Sequence, residues 1–278
     1  TPTTNTEDAS NTLSLATSYT DTAGNSGPAA TTANYEVETL APTVNSVAIS
    51  SASGVQNSLL NAGDNVSVTA TFSESVIVDN ASGTPTLTLV VGSDNRTSTY
   101  TSGSGSTPLV FQYTIQAGET DADGISIEAN TLALNSGTIR DAAGNNATIT
   151  YSSVSANTSY KVDNTAPSVD NFTLSDTALK AGDTATVTLR FSEAVVSFSS
   201  AADITADNGT LAAMSSADNI TWTGTFTPTA NTEDASNTLS LATSYTDTAG
   251  NTGPAATTAN YAVETLAPSV DNFTLSDT

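Results

Sequence analysis

The sequence predicts an all-β chain, built as antiparallel β-sandwiches in tandem and joined end to end by short linkers. Three observations carry this. Apolar residues recur with period two, and no long stretch shows a helical period. The apolar runs are rich in Thr, Val and Ile and are separated by Gly, Asn and Asp, the residues of turns. The chain also repeats itself: residues 1–42 return at 227–268 with three substitutions, Thr4/Ala230, Ser26/Thr252 and Glu36/Ala262.

The repeats set the units. "PSVDNFTLSDT" at 167–177 returns at 268–278, at a spacing different from that of the longer repeat, so two unit types must alternate or mix. One complete unit of the longer type is expected at 42–166 and one of the shorter type at 167–267. Residues 1–41 then form the C-terminal part of a shorter unit, and 268–278 the first strand of another. Both ends fall inside units, which suggests an excerpt from a longer array. The joints "YEVETLAP" (35–42), "YKVDNTAP" (160–167) and "YAVETLAP" (261–268) align without gaps and end in Pro after an acidic stretch, a form suited to a brief extended linker.

Within the units, "TATVTLRF" places Ala185, Val187, Leu189 and Phe191 on one face, and "NVSVTATF" does the same with Val66, Val68, Ala70 and Phe72. "LVFQYTIQ" groups Leu109, Phe111, Tyr113 and Ile115, and "ITWTGTF" groups Ile220, Trp222 and Phe226. Trp222, Tyr19 and Tyr245 are expected in or near a core. Short alternating strands of this kind suit an immunoglobulin-like sandwich.

Composition narrows the function. Lys and Arg number 5 against 28 acids, a formal net charge of −23, which argues against nucleic acid or an anionic membrane surface as partner. No apolar run is long enough to span a membrane. With no Cys and no His, disulfides, thiolate metal sites, ordinary zinc sites and a Ser-His-Asp triad are excluded. Carboxylates and amide or backbone oxygens remain, and hard cations prefer these. The Thr/Ser/Ala/Asn-rich composition resembles that of secreted surface proteins.

The acids have a pattern. "DTAGN" stands at 21–25 and 247–251, and "DAAGN" at 141–145. Taken alone, each is a turn in which Asp bonds its own backbone and Gly supplies a positive φ. In an up-and-down sandwich, however, three features reach the same pole: the incoming linker, the loop after the second strand ("FSE", 72–74 and 191–193) and the Asp-x-x-Gly-Asn loop. One cluster is expected from Glu38, Glu74 and Asp141, another from Asp163, Glu193 and Asp247. Glu74 and Glu193 lie two residues beyond an inward Phe, where a bare carboxylate is costly to bury. Three carboxylates so close repel unless protonated or bridged by a cation; calcium, with six to eight oxygens in flexible geometry, suits them best, and magnesium, which prefers a tighter octahedron with more water, ranks second. Asn145, Asn251, Asn164 and loop carbonyls could complete the shell. A further acidic loop, Glu119, Asp121 and Asp123 in "GETDADG", is expected at the opposite pole, with Glu7/Asp8 and Glu233/Asp234 as its counterparts; these acids could add ligands to the next junction, but solvated charge is the leading reading.

Joints of the form "VDNTAP", strands ending in "FSEAV" and closing "DTAGN" loops resemble the bacterial immunoglobulin-like repeats in the extender regions of giant RTX-type and other biofilm adhesins. The resemblance covers essentially the whole chain. It implies sandwiches in tandem, a secreted or bacterial cell-surface location, and structural calcium at the domain junctions, here at Asp163, Glu193 and Asp247 and at Glu38, Glu74 and Asp141. Two joints depart from the pattern, reading "VETL" for "VDNT": Leu40 and Leu266 cannot be ligands, and no Asn stands beside Glu38 or Glu264.

The leading expectation is a non-enzymatic, calcium-stiffened spacer that holds a distal adhesive region away from the cell. Its partners would be neighbouring repeats of the same chain, with self-association through the incomplete ends. One rival is a self-assembling matrix or sheath filament. Another is a carbohydrate- or surface-binding module, although the outward residues are small and show no aromatic platform. An enzyme ranks last: carboxylate pairs could serve a glycosidase, but they recur in every unit and fall at joints.

Overall fold

The computed structural model describes residues 1–276. The fold is all-β, with one four-residue helix, Ser200–Asp203, among the described residues. No described helix is long and apolar enough to cross a membrane. The chain divides into two compact units, one of residues 1–53, 64–115 and 121–161, the other of 54–63, 116–120 and 162–278.

In the first unit the central strand is Asn65–Asp79, the alternating "NVSVTATF" run extended through "FSE". Val44–Ser53 and Ser106–Thr114 flank it, both antiparallel, and the sheet continues through Asp94–Ser102 to Thr86–Val91. Thr138–Arg140 pairs with its far end, at Ile77, Val78 and Asp79. Period two does the expected work: Val66, Val68, Ala70 and Phe72 are buried, facing Leu109 and Phe111 from the neighbouring strand. The segment 121–161 closes the core less regularly. It contributes buried Ile125, Ile127, Leu132 and Ile139, held by isolated bridges such as Val90↔Ser126 and Ile127↔Val154.

The second unit has a four-stranded sheet in the order Val169–Leu174, Ala185–Phe191, Thr221–Pro228 and Gly209–Leu211. Opposite lie Ala178–Lys180, Tyr261–Glu264 and Glu233–Asn237, with a second group of Ile204–Ala206, Leu239–Leu241 and Ala256–Thr257. Ala178–Lys180 runs parallel to Tyr261–Glu264. One core joins the layers: Phe172, Leu179, Val187, Leu189, Phe191, Phe226, Leu239, Leu241, Tyr245, Tyr261 and Val263. Trp222 is half-buried at its margin, 4.9 Å from the Phe198 ring.

Residues 1–41 lie in the first unit and repeat the strand pairs of 227–267. Glu7–Asn11 pairs with Tyr35–Glu38 and Ser14–Leu15 with Ala30–Thr31. Their apolar side chains are exposed, however: Leu13 by 65% and Tyr19 by 42%, so Tyr19 is not the core residue its pattern suggested. The strand expected at 268–278 is also unformed over 268–276, while Asp277 and Thr278 lie outside the described residues. In residues 1–41 the backbone pairs are made but the apolar side chains stay exposed; over 268–276 no strand pairing forms among the described residues.

Candidate metal centre

Each Asp-x-x-Gly-Asn loop is organised by its own aspartate. In the second unit, Asp247 Oδ1 accepts the backbone N–H groups of Ala249 (2.8 Å) and Asn251 (2.9 Å), and Oδ2 accepts Asn251 Nδ2 (2.8 Å). Gly250 supplies the positive φ, +91°, that reverses the chain. Asp141 makes the matching bonds to Asn145 N (2.8 Å) and Nδ2 (2.7 Å), and Asp21 to Ala23 N, Asn25 N and Asn25 Nδ2. At Asp21 these bonds, that of the Asn25 side chain foremost, hold the carboxyl below the usual carboxylate range. The motif is thus a self-sufficient turn, and its aspartate still has lone pairs to offer.

The fold adds the other acids. Asp247 is fully buried, and Asp163, Glu193 and Asp247 each present a carboxylate oxygen within 4.8 Å of the others. Asp163 arrives on the linker, with Oδ1 accepting Thr165 N (2.9 Å) and its carbonyl accepting Asn251 Nδ2 (2.9 Å). Glu193 follows the strand Ala185–Phe191, two residues past buried Phe191. Burial pushes the Glu193 carboxyl up, and the charges of Asp247 and Asp163 push it further.

In the first unit Glu38, Glu74 and Asp141 also converge. They line a cleft of about 450 Å³ together with Glu7, Glu36, Ala142 and Ala143. Burial raises the Glu74 carboxyl, and Asp141, Glu38 and Glu7 add to it. This group is looser. Among the described residues, only Asp163, Glu193 and Asp247 bring three carboxylates within 4.8 Å. Glu38 turns its Oε1 back to Leu40 N (2.7 Å), inside the "VETL" variant of the joint.

The asparagine amides have partners of their own. Asn145 Nδ2 reaches Glu38 O (3.3 Å) and Asn251 Nδ2 reaches Asp163 O, so both amides tie the linker to the loop. Asn164 is a clamp: its Oδ1 accepts Ala62 N (2.6 Å) and its Nδ2 donates to Gln116 O and Glu119 O. Sequence reasoning missed Asn57 and Asn61, whose amides donate to Thr248 O and Ala249 O (both 2.9 Å) in the Asp247 loop. It also misplaced part of the acidic loop. Glu119 and Asp121 are buried, and Asp121 accepts Gly92 N (2.9 Å) and Gly124 N (2.8 Å), so these acids organise backbone instead of standing in solvent. Glu7 joins the Glu38 cleft because its strand pairs Glu7 with Glu38.

The donor set fits a hard cation. Three oxygens within 4.8 Å of one another can share an ion at about 2.3–2.6 Å, the ligand distances of calcium.

Residues 163–263 match the family model of the bacterial Ig-like domain. Among solved structures the chain is similar to that of FdeC, described as a broadly conserved Escherichia coli adhesin eliciting protection against urinary tract infections. Identity is 14% and the TM-score 0.29, over 80% of this chain and 63% of that one. The chain therefore spans less than two thirds of that chain's length. No curated protein matches the sequence.

Proposed function

We propose that this chain is a non-enzymatic extender segment of a large bacterial cell-surface adhesin of the RTX kind, with Ig-like sandwiches stiffened by structural calcium. The observation that carries the reading is the Asp163, Glu193 and Asp247 group. Three carboxylates converge there, one of them pushed up by burial and by its neighbours, in a chain with only 5 basic residues to neutralise its acids. When bound, calcium would neutralise that repulsion and lock the linker at Asp163 to the Asp247 loop. The same linker is already tied to that loop through Asn251. Near-identity of 1–42 and 227–268 supports a spacer, because length and stiffness can be multiplied by copying whereas a unique catalytic site cannot. The secreted location follows from the same reading.

Calorimetric titration with calcium, paired with X-ray scattering in calcium and in chelator, tests this. The expected result is binding with a dissociation constant on the order of 10⁻⁴–10⁻³ M and a longer, narrower particle in calcium. Glu193→Gln and Asp247→Asn should each remove a binding event. No heat and an unchanged scattering curve would end the calcium reading.

A further inference from the structure

We propose that segment 54–63 positions the carboxylate group of the second unit, by gripping the linker at 162–164 with its backbone and the Asp247 loop with the amides of Asn57 and Asn61. What this does to calcium rests on the reading above. Toward the linker, Leu60 O accepts Asp163 N (2.9 Å) and Ala62 N donates to Asn164 Oδ1 (2.6 Å). Leu60 and Val162 are buried, which fixes this half of the grip. Toward the loop, Asn57 Nδ2 donates to Thr248 O and Asn61 Nδ2 to Ala249 O, both at 2.9 Å. Gln56 lies over the glycine of the loop: a Cβ on Gly250 would come within 2.3 Å of Gln56 Nε2 and 3.2 Å of Asn61 Nδ2.

The two halves of the grip meet where the site needs them. Asn164 follows Asp163 directly, and Thr248 and Ala249 follow Asp247, so the segment holds the backbone beside two of the three acids. Ala249 is the link to the carboxylate itself: its carbonyl accepts Asn61 Nδ2 while its N–H donates to Asp247 Oδ1 (2.8 Å). The amides are neutral, so they hold the acids close without cancelling any charge. With no ion bound, Asp163, Glu193 and Asp247 repel one another, and a loop free to swing would relieve that by moving away. Tying the loop down beforehand removes that freedom, and calcium then binds without having to order it. Asn57 and Asn61 are positioning residues that act through the Asp247 loop.

Two measurements on the full chain test the proposal: amide hydrogen exchange in chelator and calorimetric titration with calcium. Both compare the parent with the Asn57→Ala/Asn61→Ala double variant. Asn57 is exposed and Asn61 half-buried, so the variant keeps its fold, which circular dichroism verifies. The loop at 21–25, the same pentapeptide, is the internal control. In chelator the amides of Ala249, Gly250 and Asn251 should exchange faster in the variant, with the control loop unchanged. In calcium the variant should bind the same number of ions about tenfold more weakly, as when a group that orients a metal ligand is removed. Asn57→Ala alone, at the exposed position, should show both changes at smaller size. Unchanged exchange at 249–251 overturns the proposal. So does faster exchange with unchanged calcium affinity, which would make the amides supports of the fold alone. A parent that binds no calcium, beside a variant that still exchanges faster, would end the calcium reading and leave the grip on the loop standing.

Discussion

Residues 1–41 and 227–267 are almost the same peptide in two settings, and they separate what a segment makes for itself from what the fold makes of it. The local structure is shared. Glu7↔Glu38, Asp8↔Val37 and Asn11↔Tyr35 pair in one copy, and Glu233↔Glu264, Asp234↔Val263 and Asn237↔Tyr261 in the other, with the irregularity at the same place. Tyr19 Oη donates to Pro28 O and Tyr245 Oη to Pro254 O, both at 2.8 Å. The packing is not shared: Leu13 and Tyr19 are exposed where Leu239 and Tyr245 are completely buried. Burial also pushes the Tyr245 phenol up to about 12. Hydrogen bonds within the segment set its outline; residues 167–226 supply its core.

The largest test of this contrast is truncation of one leucine in each copy. Leu239→Ala should destabilise by about 2–5 kcal/mol, as for a buried leucine, while Leu13→Ala should stay within about 0.5 kcal/mol. Urea unfolding of dilute protein reads both, and equal losses would mean that the 1–41 face is covered.

Next in size is calcium. Asp21 and Asp247 sit in matching loops, but only Asp247 has Asp163 and Glu193 beside it. At a hundredfold excess over the dissociation constant, calcium should add about 2.7 kcal/mol for this site. Asp247→Asn should abolish that gain in a thermal melt with and without chelator, and Asp21→Asn should leave it intact.

A glycine pair probes the tyrosines. A Cβ on Gly253 would meet the Tyr245 ring at 2.1 Å, and one on Gly27 the Tyr19 ring at 1.9 Å. The local clash is the same, but Tyr19 has solvent to move into. Gly253→Ala should cost about 1–3 kcal/mol, as overpacking does, and Gly27→Ala far less.

The smallest effect is pH-dependent. Because the Glu193 carboxyl is raised in the folded state, its ionisation opposes folding. The stability linked to its proton is fully present below the unfolded value and is lost as pH rises through the folded one. In chelator, Glu193→Gln should therefore melt a few degrees higher than the parent at neutral pH, with the difference vanishing in acid. In calcium the order should reverse, because the variant has lost a ligand. A parent and a Glu193→Gln variant with the same acid dependence in chelator would show that the three carboxylates are kept apart.

Much of this was legible beforehand in the periods and turns. Val66, Val68, Ala70 and Phe72, and likewise Ala185, Val187, Leu189 and Phe191, are buried as period two requires. "DTAGN" at 21–25 closes on its own side-chain bonds even where nothing packs on it. Local rules did not reveal that Asn57 and Asn61 would reach the loop at 247–251, nor that Glu119 and Asp121 would be buried.

By itself, then, the sequence determined where apolar alternation runs, which face of each run is apolar and how each Asp-x-x-Gly-Asn turn closes. Those outcomes depend on alternation and on hydrogen bonds within a few residues, so they recur in every copy. Tertiary structure alone decided which apolar faces are covered and which acids meet. "PSVDNFTLS" at 167–175 contains the strand Val169–Leu174, where Ala185–Phe191 pairs with it, and forms no strand at 268–276. Asp247 gathers Asp163 and Glu193 about it, while Asp21, in the same pentapeptide, does not. Burial and charge convergence depend on segments distant in sequence, and identical peptides diverge where those segments differ.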